Sequence, residues 1–140
     1  MFKNALVSVS DKSGLAEFLK PYVSNGLRIV STGGTAAYLK EQGFKVTDIS
    51  EQTHFPEVMG GRVKTLHPLV HMPILARSEV PEDFDLLKSH GVEAFDLVIC
   101  NLYPFEETLL EQKSSGKKDF NALIEKIDIG GPTLLRASAK

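Results

Sequence analysis

Short apolar segments alternate along this chain with segments of helical spacing. The apolar segments are bounded by polar or turn-forming residues, as is typical of buried strands, and they comprise residues 5–9, 27–30, 44–49 and 95–100. Apolar positions recur with helical spacing in residues 15–23, 36–42, 81–90, 104–111, 119–126 and in a last segment that begins near Pro132. Strands that alternate with helices predict an α/β fold, a doubly wound and mainly parallel sheet with helices on both faces in three layers.

Three features of this pattern are less regular. Pro21 lies inside the first helical segment and predicts that the helix bends or ends there. Residues 50–72 show neither period and are predicted to be irregular. The last helical segment stops at Lys140 without a turn or a polar tail, so we expect the chain to be part of a longer protein, cut at its carboxyl end.

Composition and charge narrow the class of protein. The 140 residues suffice for one domain, and a net charge of −2 gives no basic field for binding a nucleic-acid backbone. The single cysteine, Cys100, excludes an internal disulfide, and the sequence holds no apolar run near the roughly 20 residues of a membrane span. We therefore expect a cytoplasmic protein that does not bind a membrane.

Polar loops follow the predicted strands, and ligands of parallel α/β sheets bind beyond the carboxyl ends of the strands. We expect the ends of strands 5–9, 27–30 and 95–100 to open on one shared edge. Residues 31–35, Ser-Thr-Gly-Gly-Thr, join a strand to a helix. Two glycines and a helix start suit a phosphate, with the hydroxyls of Ser31, Thr32 and Thr35 as further donors. A tight turn with a threonine cap is the simpler interpretation of this segment.

Residues 60–65, Gly-Gly-Arg-Val-Lys-Thr, form a second candidate loop. In an extended segment Arg62 and Lys64 point the same way, where two cations suit a phosphate or a developing oxyanion. A solvated loop is the alternative. His67 and His71 have the spacing of a helical metal pair, but Pro68 lies between them and no glutamate follows His67. No metal site is predicted.

Several single residues have both a functional and a structural interpretation. Lys12 follows the first strand, where Asp11 or Ser13 is a candidate helix cap. Tyr103 is either a packing aromatic residue or a hydrogen-bond donor in a site. Asp128 is either a cap of the last helix or a titratable site residue. Their common position, after strands or before helices, favours one site.

Five motifs together resemble a known family. They are Ser-Val-Ser-Asp-Lys at 8–12, Ser-Thr-Gly-Gly-Thr at 31–35, Gly-Gly-Arg-Val-Lys-Thr-Leu-His-Pro at 60–68, Cys-Asn-Leu-Tyr-Pro-Phe at 100–105 and Ile-Asp-Ile-Gly-Gly at 127–131. In order and spacing they resemble the amino-terminal inosine monophosphate cyclohydrolase domain of bifunctional purine biosynthesis proteins, whose second activity is aminoimidazole carboxamide ribonucleotide transformylase. Residues 1–140 would then be a methylglyoxal synthase-like cyclohydrolase domain without the transformylase domain.

The resemblance implies a set of site residues. The implied nucleotide contacts are Ser10, Asp11, Lys12, Thr32, Gly33, Gly34, Thr35, Arg62, Val63, Lys64, Thr65, Cys100, Asn101, Asp128 and Ile129. The implied catalytic residues are Lys64, Tyr103, Asp128 and Lys140. Pro132 departs from the small or branched residue expected after Gly131, which affects only the start of the helix.

The implied reaction closes a formylated aminoimidazole carboxamide ribonucleotide to inosine monophosphate with loss of water. Both reacting groups belong to one molecule, so neither a cofactor nor a metal is demanded. The implied partners are this purine ribonucleotide, the transformylase domain and, at full length, a second copy in a homodimer. Two alternatives remain: a methylglyoxal synthase-like lyase, whose Gly-Gly-Asp-Gln-Gln segment is missing here, and a non-catalytic effector-binding module such as that of carbamoyl phosphate synthetase.

Overall fold

Four parallel strands form the sheet at the centre of the computed structural model, which describes residues 1–116 and 118–140. The strands are β1 (Asn4–Ser8), β2 (Arg28–Ser31), β3 (Val46–Asp48) and β4 (Leu97–Cys100), in the order β3-β2-β1-β4. The helices are α1 (Leu15–Val23), α2 (Gly33–Glu41), α3 (Ile49–Thr53), α4 (Pro68–Leu75), α5 (Pro81–Ser89), α6 (Phe105–Ser115), α7 (Phe120–Ile124) and α8 (Gly130–Ser138), with a 3₁₀ turn at Met59–Gly61.

The central strand β1 explains why the fold has three layers. Ala5, Leu6 and Val7 are fully buried, because helices cover both faces of the sheet. Side chains alternate along a strand, so Ala5 and Val7 pack on one face with Leu19 of α1 and Leu39 of α2. The opposite face belongs to a second core, formed by Leu6 of β1, Ile49 of α3, Val70 of α4, Leu134 of α8 and Phe95, which lies just before β4. The predicted α/β architecture is confirmed.

The sheet directs its loops to one edge. β1 pairs in parallel with both β2 and β4, and β2 pairs in parallel with β3. The carboxyl ends of all four strands therefore meet at the same edge, as predicted. The chain forms β1, β2 and β3 as neighbours in turn. It then crosses over through residues 49–96 to β4, which lies on the other side of β1.

That crossover contains most of the differences from the sequence prediction. The prediction of an irregular segment over residues 50–72 was wrong at both of its ends. Asp48 and Glu51 form a capping box that starts α3, and the His67 side chain caps α4 with Pro68 at its first position. β3 ends one residue earlier than predicted, at Asp48, because Asp48 caps α3, and it begins two residues later than predicted.

Pro21 does not end its helix. It lies in the last turn of α1 on the exposed side, and the helix continues to Val23. Near a helix end the missing donor of a proline removes only one backbone hydrogen bond. Within the described residues no helix is long and apolar enough to cross a lipid bilayer.

Candidate active site

A cavity of about 650 Å³ opens at the carboxyl edge of the sheet. Loops that are far apart in the sequence line it, including the loops after β1, β2 and β4, the 60–65 loop and the segment before α8. The predicted site residues that line it are Ser10, Lys12, Thr32, Gly34, Thr35, Arg62, Lys64, Thr65, Asn101, Tyr103, Asp128 and Ile129. The structure thus brings together most of the residues that the sequence analysis proposed.

Asn101 joins two of the loops that line the cavity. Its Oδ1 accepts hydrogen bonds from the backbone N–H groups of Ser10 at 2.6 Å and Asp11 at 3.3 Å, and its Nδ2 donates to the Asp11 carbonyl at 2.8 Å. The side chain therefore ties the loop after β4 to the loop after β1. Within the site Asn101 has a structural role whatever else it binds.

The hydroxyls of the 31–35 segment are mostly used inside the fold. Ser31 donates to the Val7 carbonyl at 2.7 Å, and Thr35 donates to the Val9 carbonyl at 2.8 Å. The expectation that these two hydroxyls would donate to a ligand was wrong, because both already donate to backbone carbonyls of the fold. Gly33 and Gly34 are the first residues of α2, so their N–H groups lack an intrahelical carbonyl partner. Backbone groups are the donors that this turn presents.

Lys64 lies against the Gly33 turn. A methyl group added at Gly33 would be only 2.6 Å from Lys64 Nζ. Gly33 has a φ of +36°, a conformation that favours glycine. Gly33 is not among the residues that line the cavity, whereas Lys64 is. The structure places the Lys64 amine next to the first residue of α2.

Two further cations of the predicted set, Lys12 and Arg62, line the cavity. Lys12 Nζ donates to the Ser10 carbonyl at 3.1 Å. Arg62 forms an ion pair with Glu125, and it also donates to the Met59 carbonyl at 3.1 Å. Both side chains of the ion pair are more than half exposed, at 55% and 59%. An anionic ligand that binds Arg62 must therefore compete with Glu125.

Asp128 links the loop after β4 to the start of α8. Its Oδ1 accepts a hydrogen bond from the Gly131 N–H at 2.7 Å, and its Oδ2 accepts one from the Tyr103 N–H at 3.2 Å. The capping interpretation of Asp128 is therefore correct, while the same carboxylate lines the cavity. Tyr103 is 46% exposed, and the Lys126 amine lies 5.9 Å from the centre of its ring.

Other predicted site residues lie outside the main cavity. The Asp11 carboxylate accepts hydrogen bonds from the Ser13 hydroxyl and N–H, which lower its pKa. Burial raises the pKa of the Cys100 thiol, and the nearby Asp128 charge adds to this. The thiol therefore stays protonated at neutral pH. Val63 lines a smaller cavity, and Lys140 lies two residues beyond the end of α8, whose first residues line the main cavity.

The sequence analysis missed several residues of the site. Glu125 and Lys126 line the cavity from the segment after α7. Neither belongs to a motif, and their position became visible only when the chain was folded. A smaller cavity of about 230 Å³ lies next to the main one and shares Lys64 with it. Glu57, His67 and Phe55 are among the residues that line it.

Comparison with known proteins agrees with this architecture. The family model described as MGS-like domain matches residues 14–133. The chain is 32% identical to a solved protein described as "Crystal structure of ForH", with a TM-score of 0.77, over 99% of this chain and 68% of that one.

Curated relatives also match over the whole chain. Two are named bifunctional purine biosynthesis protein PurH, from Polynucleobacter necessarius subsp. necessarius (49% identical) and from Ruminiclostridium cellulolyticum (52% identical). All 140 residues align with each, yet the chain spans only about a quarter, 26%, of their length. This portion is amino-terminal. On the match of its sequence and its fold, the chain belongs to the family of MGS-like domains.

Proposed function

We propose that this chain is a cyclohydrolase domain that closes formylaminoimidazole carboxamide ribonucleotide to inosine monophosphate. One observation carries the proposal: a single cavity is lined by the start of α2, by the cations Lys12 and Lys64, and by Tyr103 and Asp128. The names of the curated relatives support the purine substrate class. In the longer protein its partners would be a transformylase domain and a second copy of the chain, and its location would be cytoplasmic.

The phosphate of the substrate would bind at the start of α2. The N–H groups of Gly33 and Gly34 have no intrahelical partner at the start of α2, and the helix dipole favours an anion there. Lys64 supplies a positive charge beside the same turn, and Lys12 lines the same cavity. The two backbone donors are held by the fold before the ligand arrives, which reduces the cost of ordering them on binding.

Ring closure needs one bond to form and water to leave. The carboxamide nitrogen bonds to the formyl carbon and gives up one proton. The formyl oxygen then leaves as water, with that hydrogen and the hydrogen of the formamido nitrogen. Because both groups are in one molecule, the protein has to hold them in contact and stabilise the charge that develops on oxygen.

The side chains of the cavity suit these tasks. Lys64 would stabilise the oxyanion, and the Tyr103 hydroxyl would donate to the formyl oxygen. Asp128 would orient or deprotonate the carboxamide, and its own position is fixed by the Gly131 and Tyr103 N–H groups. Lys140 would act as a general acid or base, a role assigned by the family resemblance alone.

The proposal is tested by single-turnover ring closure with saturating formylated substrate. We expect the rate of ring closure to fall at least about a hundredfold with Lys64→Gln, as for removal of one oxyanion donor. Lys40→Gln is the matched control, because Lys40 is exposed in the last turn of α2 and does not line the cavity. Dihydroxyacetone phosphate is offered in parallel.

The outcomes separate the alternatives. Turnover of dihydroxyacetone phosphate instead of the ribonucleotide would favour a methylglyoxal synthase-like lyase. Binding of inosine monophosphate without turnover of either compound would favour an effector-binding module. Equal ring-closure rates for Lys64→Gln and Lys40→Gln would remove Lys64 from the mechanism.

A further inference from the structure

We propose that Glu57 is a positioning residue that holds the Lys64 amine at the wall of the main cavity. The inference rests on the proposed function, because it assigns to Glu57 a part in the reaction that Lys64 would assist. Neither the sequence motifs nor the family resemblance pointed to Glu57. Its place beside Lys64 follows from the geometry of two glycines.

Gly33 and Gly61 leave the space that the two charged side chains occupy. A methyl group added at Gly61 would lie 2.9 Å from Glu57 Oε1 and 3.1 Å from Lys64 Nζ. At Gly33 it would lie 2.6 Å from Lys64 Nζ and 3.6 Å from Glu57 Oε2. Each glycine is therefore next to both groups, and a side chain at either position would push the amine or the carboxylate away.

The two cavities show on which side of the amine Glu57 lies. Lys64 lines both cavities, whereas Glu57 lines only the smaller one. The carboxylate thus lies on the side of the smaller cavity, whereas the amine borders both. From this position it attracts the ammonium toward the glycines without taking up space in the main cavity.

Two other charged groups of the main cavity are already engaged. Arg62 is paired with Glu125, and Asp128 accepts hydrogen bonds from two backbone N–H groups. Glu57 and Lys64 are not among the direct ion pairs of the described chain, so their attraction acts between neighbouring groups. Glu57 is also exposed. We therefore expect an effect of the size that exposed charge pairs give, about two- to fivefold in a rate or an equilibrium.

The test compares Glu57→Gln, Glu57→Asp and the unmodified chain, with Glu41→Gln as the matched control. Glu41 is exposed at the end of α2 and lines neither cavity, so it reports the loss of one negative charge alone. The first readout is the rate at which acetic anhydride acylates the Lys64 amine, measured by mass spectrometry. This readout requires no turnover. The second readout is the pair kcat and KM for ring closure.

We expect Glu57→Gln to speed acylation of Lys64 about two- to fivefold and to lower kcat/KM by a similar factor. Glu57→Asp should lie closer to the unmodified chain, and Glu41→Gln should match it. Unchanged acylation of Lys64 in Glu57→Gln would overturn the inference. Altered acylation in a chain that closes no ring would support the contact between the two residues and overturn the proposed function instead.

Discussion

Replacing Gly33 with alanine tests how the turn before α2 binds an anion. The substitution has two separate effects in this structure. The φ of +36° lies in the left-handed region, where an L-residue costs about 1–2 kcal/mol. The added methyl group would also lie 2.6 Å from Lys64 Nζ. Because that amine is the end of a flexible side chain, it can move away, and we expect the chain to remain folded.

The expected magnitudes follow from these two effects. Strain of about 1 kcal/mol lowers the melting temperature of a domain of this size by about 3–5 °C. Displacement of the Lys64 amine removes a charge-assisted contact, which is worth about 1.5–3 kcal/mol. We therefore expect inosine monophosphate to bind at least about tenfold more weakly, since tenfold corresponds to about 1.4 kcal/mol.

Gly91→Ala is the matched control for the backbone strain. Gly91 has a φ of +69°, and a methyl group added there would meet no atom within 4 Å. Gly91 also does not line the cavity. Both variants should lose similar stability in thermal unfolding, but only Gly33→Ala should lose affinity in isothermal titration calorimetry. Equal affinity of Gly33→Ala and the unmodified chain would refute the reasoning about this turn.

Two further predictions concern ion pairs. Glu125→Gln frees Arg62 from an exposed pair, so we expect inosine monophosphate to bind about two- to fivefold more tightly; weaker binding by calorimetry would show that Glu125 itself contacts the ligand. Hydrogen bonds from the Arg77 side chain and N–H lower the pKa of Asp83 to about 2. Because the folded state lowers this pKa from about 3.9, the pair stabilises the fold above that pH and loses its contribution as the pH falls toward 2. Urea unfolding between pH 5 and pH 3 should show a weaker pH dependence for Asp83→Asn, and an identical dependence would contradict this account.

The sequence predicted the sheet well because each strand is a short apolar segment between polar loops. It failed in the crossover between β3 and β4, although the signals were present. Asp48 and Glu51 have the spacing of a capping box, and Pro68 after His67 is a typical helix start. The apolar period did not detect α3, whose five residues follow directly on a strand.

The site could be predicted in part. The cavity residues of the glycine-rich segments 31–35 and 60–65 could be proposed from the sequence, because a glycine-rich loop has few structural roles. Glu57 and Glu125 were missed because their positions depend on contacts between segments far apart in the chain. The hydroxyls of Ser31 and Thr35 were misinterpreted because sequence does not show which donors the fold itself uses.

The path of the chain from β3 to β4 has a consequence for which segments of such a domain can be replaced. The crossover leaves the sheet at one edge and returns at the other, and on its way it supplies the 60–65 loop to the cavity. The Asn101 bridge joins the loops after β1 and β4 and uses no residue of the crossover. The turn before α2, in contrast, lies against Lys64 of the crossover. A grafted crossover should therefore leave the Asn101 bridge intact, but it has to keep a lysine at position 64 if the surroundings of Gly33 are to stay the same.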